Sequence, residues 1–157
     1  MPVNWSTYVS SRFHYRIDYP ADWSVQPAAA DWPTSGFPDK DGQSLDIFST
    51  TTNDARVFVS SVPLKSGKSA GDWIGELDAW NASYGCVFST PRTITIDGMS
   101  AREETGSSCN GSDHLLEVVM ANDTRFYQIN LFDQVGPFTE TDLAILDRFL
   151  TSFRFGS

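Results

Sequence analysis

The sequence predicts an α+β fold: a central antiparallel sheet of about six to seven strands with helices packed on it. Three observations predict this. Apolar residues alternate with period two in several separate runs, as half-buried strands require. Short turns such as Asp97-Gly98 and Asn122-Asp123 join those runs, so neighbours run antiparallel as a meander and do not form βαβ units. Two segments switch to helical spacing, each with one apolar stripe that needs a sheet face to cover.

The first strand is Phe13, Tyr15, Ile17 and Tyr19 on one face, with His14, Arg16 and Asp18 on the other. Pro20 ends it because proline donates no N–H to a ladder, and Trp23-Ser24-Val25 begins the next strand. Residues 27–43, with Pro27, Pro33, Gly36, Pro38 and Gly42, read as a long loop, a feature that is often functional inside compact domains. Leu45 to Thr50 and Arg56 to Val62 form a strand pair around a Thr-Thr-Asn-Asp turn. Ser69 is a good N-cap with Asp72 at the capping-box position, and Ala70, Trp73, Ile74, Leu77 and Trp80 follow at helical spacing until Gly85. Trp23, Trp73 and Trp80 read as core. Ile94 and Ile96 lead through Asp97-Gly98, a strong hairpin signal, to Met99 and Ala101. Leu115 to Met120 is a further strand, and Tyr127, Ile129 and Leu131 share a face of the next. The last helix begins at Thr139, with Asp142 in a capping box, a Phe138–Leu143 staple, and Leu143, Leu146, Leu150 and Phe153 as its buried stripe. No internal repeat, low-complexity segment or domain boundary interrupts residues 1–157, which read as one domain.

Composition narrows the function. A chain of 157 residues with 40% hydrophobic content can bury a full core. The formal charge of −9 and the absence of any basic run exclude nucleic acid, whose phosphates need clustered Lys and Arg. They equally argue against docking on anionic lipid through a basic face. No apolar stretch is long enough to form a membrane-spanning segment. The start, Met1-Pro2-Val3-Asn4-Trp5, lacks the apolar core of a signal peptide.

Cys86 and Cys109 both lie in Gly/Ser/Asn-rich contexts, which favours a disulfide over the alternative of free structural thiols and points outside the cytosol. The four Asn-x-Ser/Thr triplets at Asn4, Asn81, Asn110 and Asn122 arise readily by chance in such a composition. Gly67-Lys68-Ser69 resembles the end of a phosphate loop, but Val62 stands where the first glycine is needed. Cys86, Cys109, His14 and His114 lack zinc-ligand spacing. No catalytic set emerges and no cofactor is implied. A hydrolase centred on His114, with Asp113 beside it, is the enzymatic alternative. The Asp39-Lys40-Asp41-Gly42 segment with Asp46 could wrap calcium, as a structural module would, although the bidentate Glu of a full calcium loop is missing. Trp32 and Phe37, two large aromatics in the long loop, are the candidate interface residues.

The phrase Tyr8-Val9-Ser10-Ser11-Arg12-Phe13-His14-Tyr15-Arg16-Ile17-Asp18-Tyr19-Pro20-Ala21-Asp22-Trp23 resembles the opening of PsbP-like domains, the family that includes the Ran-binding Mog-type proteins. Leu146 to Phe155 is similar to the closing helix of that family and its terminal aromatic phrase, and the helix bearing Trp73 falls in the expected place. The resemblance implies an α/β/α sandwich, usually extracytoplasmic and usually non-enzymatic. Known members are an extrinsic photosystem II subunit, a nuclear Ran-binding relative and bacterial surface lipoproteins. The missing basic region sets this chain apart from the photosynthetic members, and the cysteine pair fits a bacterial extracytoplasmic subset. The expected function is therefore a non-enzymatic binding domain, secreted or membrane-anchored, with its leader absent from this sequence. Its expected partner is a protein or small molecule at the cell envelope.

Overall fold

The computed structural model describes residues 2–32, 43–52, 54–64, 68–107, 114–133 and 136–156. The order is β1 (Trp5–Ser10), β2 (Tyr15–Pro20), β3 (Ser24–Gln26), β4 (Asp46–Ser49), β5 (Ala55–Pro63), α1 (Ala70–Ser83), β6 (Val87–Phe88), β7 (Arg92–Ile96), β8 (Met99–Ser107), β9 (Leu115–Ala121), β10 (Arg125–Asp133), α2 (Glu140–Ser152) and β11 (Arg154–Phe155). Eight strands form one sheet in the order β3-β4-β5-β10-β9-β8-β6, with β7 also paired to β8. A second sheet, β1-β2-β11, has three strands. Every pairing among the described residues is antiparallel.

The α+β fold with a central antiparallel sheet is as expected, that sheet having eight strands; the simple meander needs correction. The opening strand belongs to the small sheet, not to the central one. Moreover β10 inserts between β5 and β9, with Ile129 opposite Val59 on one side and Val118 on the other. Two meanders, β3–β5 and β7–β10, are thus zipped together at β5 and β10. The reason is geometric: after β5, α1 carries the chain across the sheet, so the strands that follow return toward β5 from the far edge.

The alternation of the strands sorts the two faces. Val57, Val59, Leu116, Val118, Met120, Tyr127, Ile129 and Leu131 point to one side and join the larger core. The small sheet contributes Phe13, Tyr15 and Ile17 to that core, and α2 contributes Ile145, Leu146, Phe149 and Leu150. On the opposite face, Val62, Val119 and Phe126 meet Trp73 and Leu77 of α1 in a second core. The helices therefore lie on opposite faces, as the sandwich requires.

Both helix starts match the sequence reading. The Ser69 and Thr139 hydroxyls accept from the N–H groups of Asp72 and Asp142, and each carboxylate accepts the cap N–H in return. Two apolar assignments do not hold. Leu143 is 46% exposed, because the stripe is centred on Leu146 and Phe149 and leaves Leu143 on its flank; Phe138 packs on the core without it. Trp80 is only half-buried and packs on Tyr84 (ring centroids 4.7 Å apart), since the deep face of α1 runs through Trp73, Leu77 and Asn81. At the β7–β8 turn Asp97 and Gly98 both have positive φ (47° and 79°), the geometry a two-residue hairpin loop selects.

Candidate functional site

Three polar constellations lie within this frame. The first is a knot around Asp46, a carboxylate buried at the start of β4. The Tyr8 hydroxyl (3.1 Å) and the Ala28 N–H (2.7 Å) donate to Oδ1, and the Tyr15 hydroxyl donates to Oδ2 (2.7 Å). Asp46 thus joins both long strands of the small sheet to the edge of the large one. Burial, followed by the Asp46 charge, pushes the Tyr8 hydroxyl up to about 12 and holds Tyr15 well above its ordinary range. Of the three candidate calcium ligands, Asp46 has both oxygens engaged by protein donors. Asp39 and Asp41 lie outside the described residues.

The second is an acidic network between α1 and the polar part of the sheet. Glu104 and Glu117 stand directly opposite each other on β8 and β9. Arg102 threads between them and α1. Its Nη2 lies 2.7 Å from Asp78 Oδ1, 3.1 Å from Glu104 Oε1 and 3.9 Å from Glu117 Oε1. Gln128 Nε2 (2.7 Å) and Asn81 Nδ2 (3.4 Å) donate to Glu117 Oε2. Burial dominates and pushes the Glu117 carboxyl up to about 7; burial also raises Glu104. The carboxyls of Asp78, Glu104 and Glu117 are close enough, within 4.8 Å of one another, to hold a metal ion. The Arg102 guanidinium already supplies the cation there, and its hydrogen bond to Asp78 holds it all the more firmly protonated. The network is built as an internal ion cluster.

The third is an open pocket of about 440 Å³ on the outer side of the small sheet, lined by Thr7, Arg16, Asp18, Arg148, Thr151, Ser152 and Arg154. Beyond its short pairing with β11, the edge of β2 is closed by α2, where the Asp18 N–H donates to Ser152 Oγ (2.9 Å). Arg148 Nη2 donates to Asp18 Oδ2 (2.6 Å), and its guanidinium lies 5.6 Å from the Trp5 ring centre. Arg154 Nη1 donates to the carbonyls of Thr151 (2.8 Å) and Phe153 (2.7 Å), and its Nε lies 3.6 Å from Asp97. Arg16 sits across the ladder from Arg154.

No family sequence model matches the chain, and no curated protein matches it in sequence. Solved structures do match in shape. Cyanobacterial PsbP (CyanoP) from Synechocystis sp. PCC 6803 superposes with a TM-score of 0.63 at 17% identity, over 99% of this chain and 94% of that one. LpqN of Mycobacterium tuberculosis, described as involved in cell envelope biogenesis, superposes at 0.64 and 13% identity, over 100% and 93%. The Ran-binding protein Mog1p of Saccharomyces cerevisiae gives 0.56 at 7% identity, over 98% and 96%. The fold is PsbP-like.

The PsbP-like frame disperses the residues singled out in the sequence. Trp32 is not an exposed interface residue. It is buried, stacked on Trp73 and Phe126 with ring centroids 6.2 Å away in each case, because the Trp32 N–H pairs with the Ser61 carbonyl and turns the ring over α1's side of the sheet. Phe37 lies outside the described residues. His114 stands just before β9 with its ring against Phe138, 6.1 Å between centres; Asp113 lies outside the described residues. Cys86 is disulfide-bonded, and no described cysteine is free; Cys109, its expected partner, lies outside the described residues. Among the described residues no helix is long and apolar enough to cross a membrane.

Sequence reasoning missed the pocket and the ion cluster of this PsbP-like domain. The cluster had a local signal, because Glu117 interrupts the otherwise apolar run Leu115-Leu116-Glu117-Val118-Val119-Met120. The pocket had none, since its lining comes from β1, β2, α2 and β11.

Proposed function

We propose that this chain is a non-enzymatic, extracytoplasmic binding domain, secreted or membrane-anchored, that holds a protein or small-molecule partner at the cell envelope. One observation carries the reading: an open pocket whose walls present guanidinium N–H groups and hydroxyls on a rigid sheet-and-helix corner. Such groups orient and retain a ligand. The likeness in shape to LpqN, a protein involved in cell envelope biogenesis, and to Ran-binding Mog1p supports a binding role. A Cys86–Cys109 disulfide and a single domain over residues 1–157 belong to the same proposal.

Isothermal titration of the purified protein against fractionated envelope components, with product analysis of each mixture, tests it. Saturable heat with chemically unchanged ligand is expected. Sustained turnover of any component by the pure protein would overturn the non-enzymatic reading. Recovery of the natural protein only from the cytosolic fraction of its own cells would overturn the location.

A further inference from the structure

We propose that the pocket over the small sheet takes a small soluble ligand through an oxyanion, a carboxylate or a phosphate, gripped between Arg16 and Arg154. This rests on reading the pocket as a binding site and adds what the site recognises.

The argument begins with register. Arg154 and Arg16 are direct partners in the β11–β2 ladder, and like charges placed opposite each other across a ladder destabilise it. Two of the three arginines have their charge answered: Arg148 by Asp18, and Arg154 by Asp97 and two carbonyls at the end of α2. The Arg16 guanidinium makes no hydrogen bond or ion pair among the described residues. One positive charge is therefore left over at the mouth of a pocket, in a chain whose formal charge is −9. General basicity cannot account for it, because three of only eight arginines converge here.

The chemistry of the side chain selects the ligand. A guanidinium presents its donors as a flat fork that matches a carboxylate or phosphate edge, and such charge-assisted bonds are the strong ones. The C-terminal carbonyls of α2 would repel an anion, but Arg154 Nη1 covers those of Thr151 and Phe153. A volume near 440 Å³ lies in the range of small-molecule sites. The overall negative charge disfavours an anionic membrane surface as the source of the oxyanion.

The test is arginine side-chain NMR of the whole chain, titrated in parallel with inorganic phosphate, succinate and phosphatidylglycerol vesicles. Expected are saturable shifts of the Arg16 and Arg154 Nε–H signals and of the Asp18 amide, with either soluble probe. Tighter binding of phosphate points to a phosphorylated ligand, and tighter binding of succinate to a carboxylate. Arg16→Gln, at an exposed position, should weaken binding by at least about tenfold. Arg92→Gln, on β7, should leave it unchanged. Shifts that spread evenly over all arginines without saturating would overturn the inference, as would an Arg16→Gln affinity equal to wild type or a response to vesicles alone. If an envelope component binds at the pocket while both soluble probes stay silent, the oxyanion inference fails and the binding-domain reading stands.

Discussion

Single buried polar side chains set much of the stability here. Asp46 is held in the interior by three donors, the Tyr8 and Tyr15 hydroxyls and the Ala28 N–H, and a buried polar group is costly unless it is hydrogen-bonded in this way. Asp46→Ala would strand two hydroxyls and an N–H and should cost about 3 kcal/mol in urea unfolding. Tyr15→Phe removes one charged hydrogen bond and should cost about 2 kcal/mol. The folded state also keeps the Tyr8 and Tyr15 protons that an unfolded chain loses near pH 10. Stability should therefore fall as pH rises from 10 through about 12, which far-ultraviolet circular dichroism would follow. Glu117 acts at milder pH. Its folded value of about 7 lies above the 4.5 of an unconstrained Glu, so between these values the folded state binds the extra proton. Its contribution is complete below about 4.5 and is lost as pH rises through about 7. Urea midpoints should show wild type losing on the order of 2–3 kcal/mol between pH 4.5 and pH 8 from this group. Glu117→Gln, which still accepts from Gln128, should flatten that slope.

At the scale of elements, the two helices owe their starts to reciprocal caps, and those are local facts. Ser69→Ala and Thr139→Ala should each lower stability by about 1 kcal/mol, read as lower urea midpoints. For the same reason both caps were legible in the sequence: three residues and one hydroxyl define them. The Asp97-Gly98 hairpin was legible too, as positive φ at consecutive positions restricts the residues allowed. Strands β3, β6 and β11 span only two or three residues, too short to show a period. The place of β10 between β5 and β9 was equally hidden, because strand order depends on which distant edges meet. Trp32 was misread since its stack draws on three remote segments. Its removal makes the point testable: Trp32→Ala should cost about 3–5 kcal/mol, as a core aromatic does, and not the fraction of a kcal/mol expected of an exposed one. Among site residues, Glu117 had a visible local cue, whereas Arg16, Arg148 and Arg154 become neighbours only when the small sheet closes.

At the scale of the whole molecule, covalent and topological closure work together. If Cys86 is joined to Cys109, a free-thiol assay on unreduced protein should read zero, and reduction should lower stability by roughly 3 kcal/mol through the freed chain entropy. Topological closure comes from the chain's last described strand. The β11 strand pairs with β2, the Phe153 ring stacks 5.0 Å from Tyr15, and Gly156 donates its N–H to the His14 carbonyl at 2.6 Å. A Cβ at Gly156 would come within 2.9 Å of that carbonyl oxygen, so the seam tolerates only glycine without shifting. A ribosome making this chain releases the β1–β2 hairpin early and its last strand more than a hundred residues later. Until then Phe13 and Tyr15 lack their lid. The small sheet is therefore completed only once β11 exists, more than a hundred residues behind the hairpin it joins.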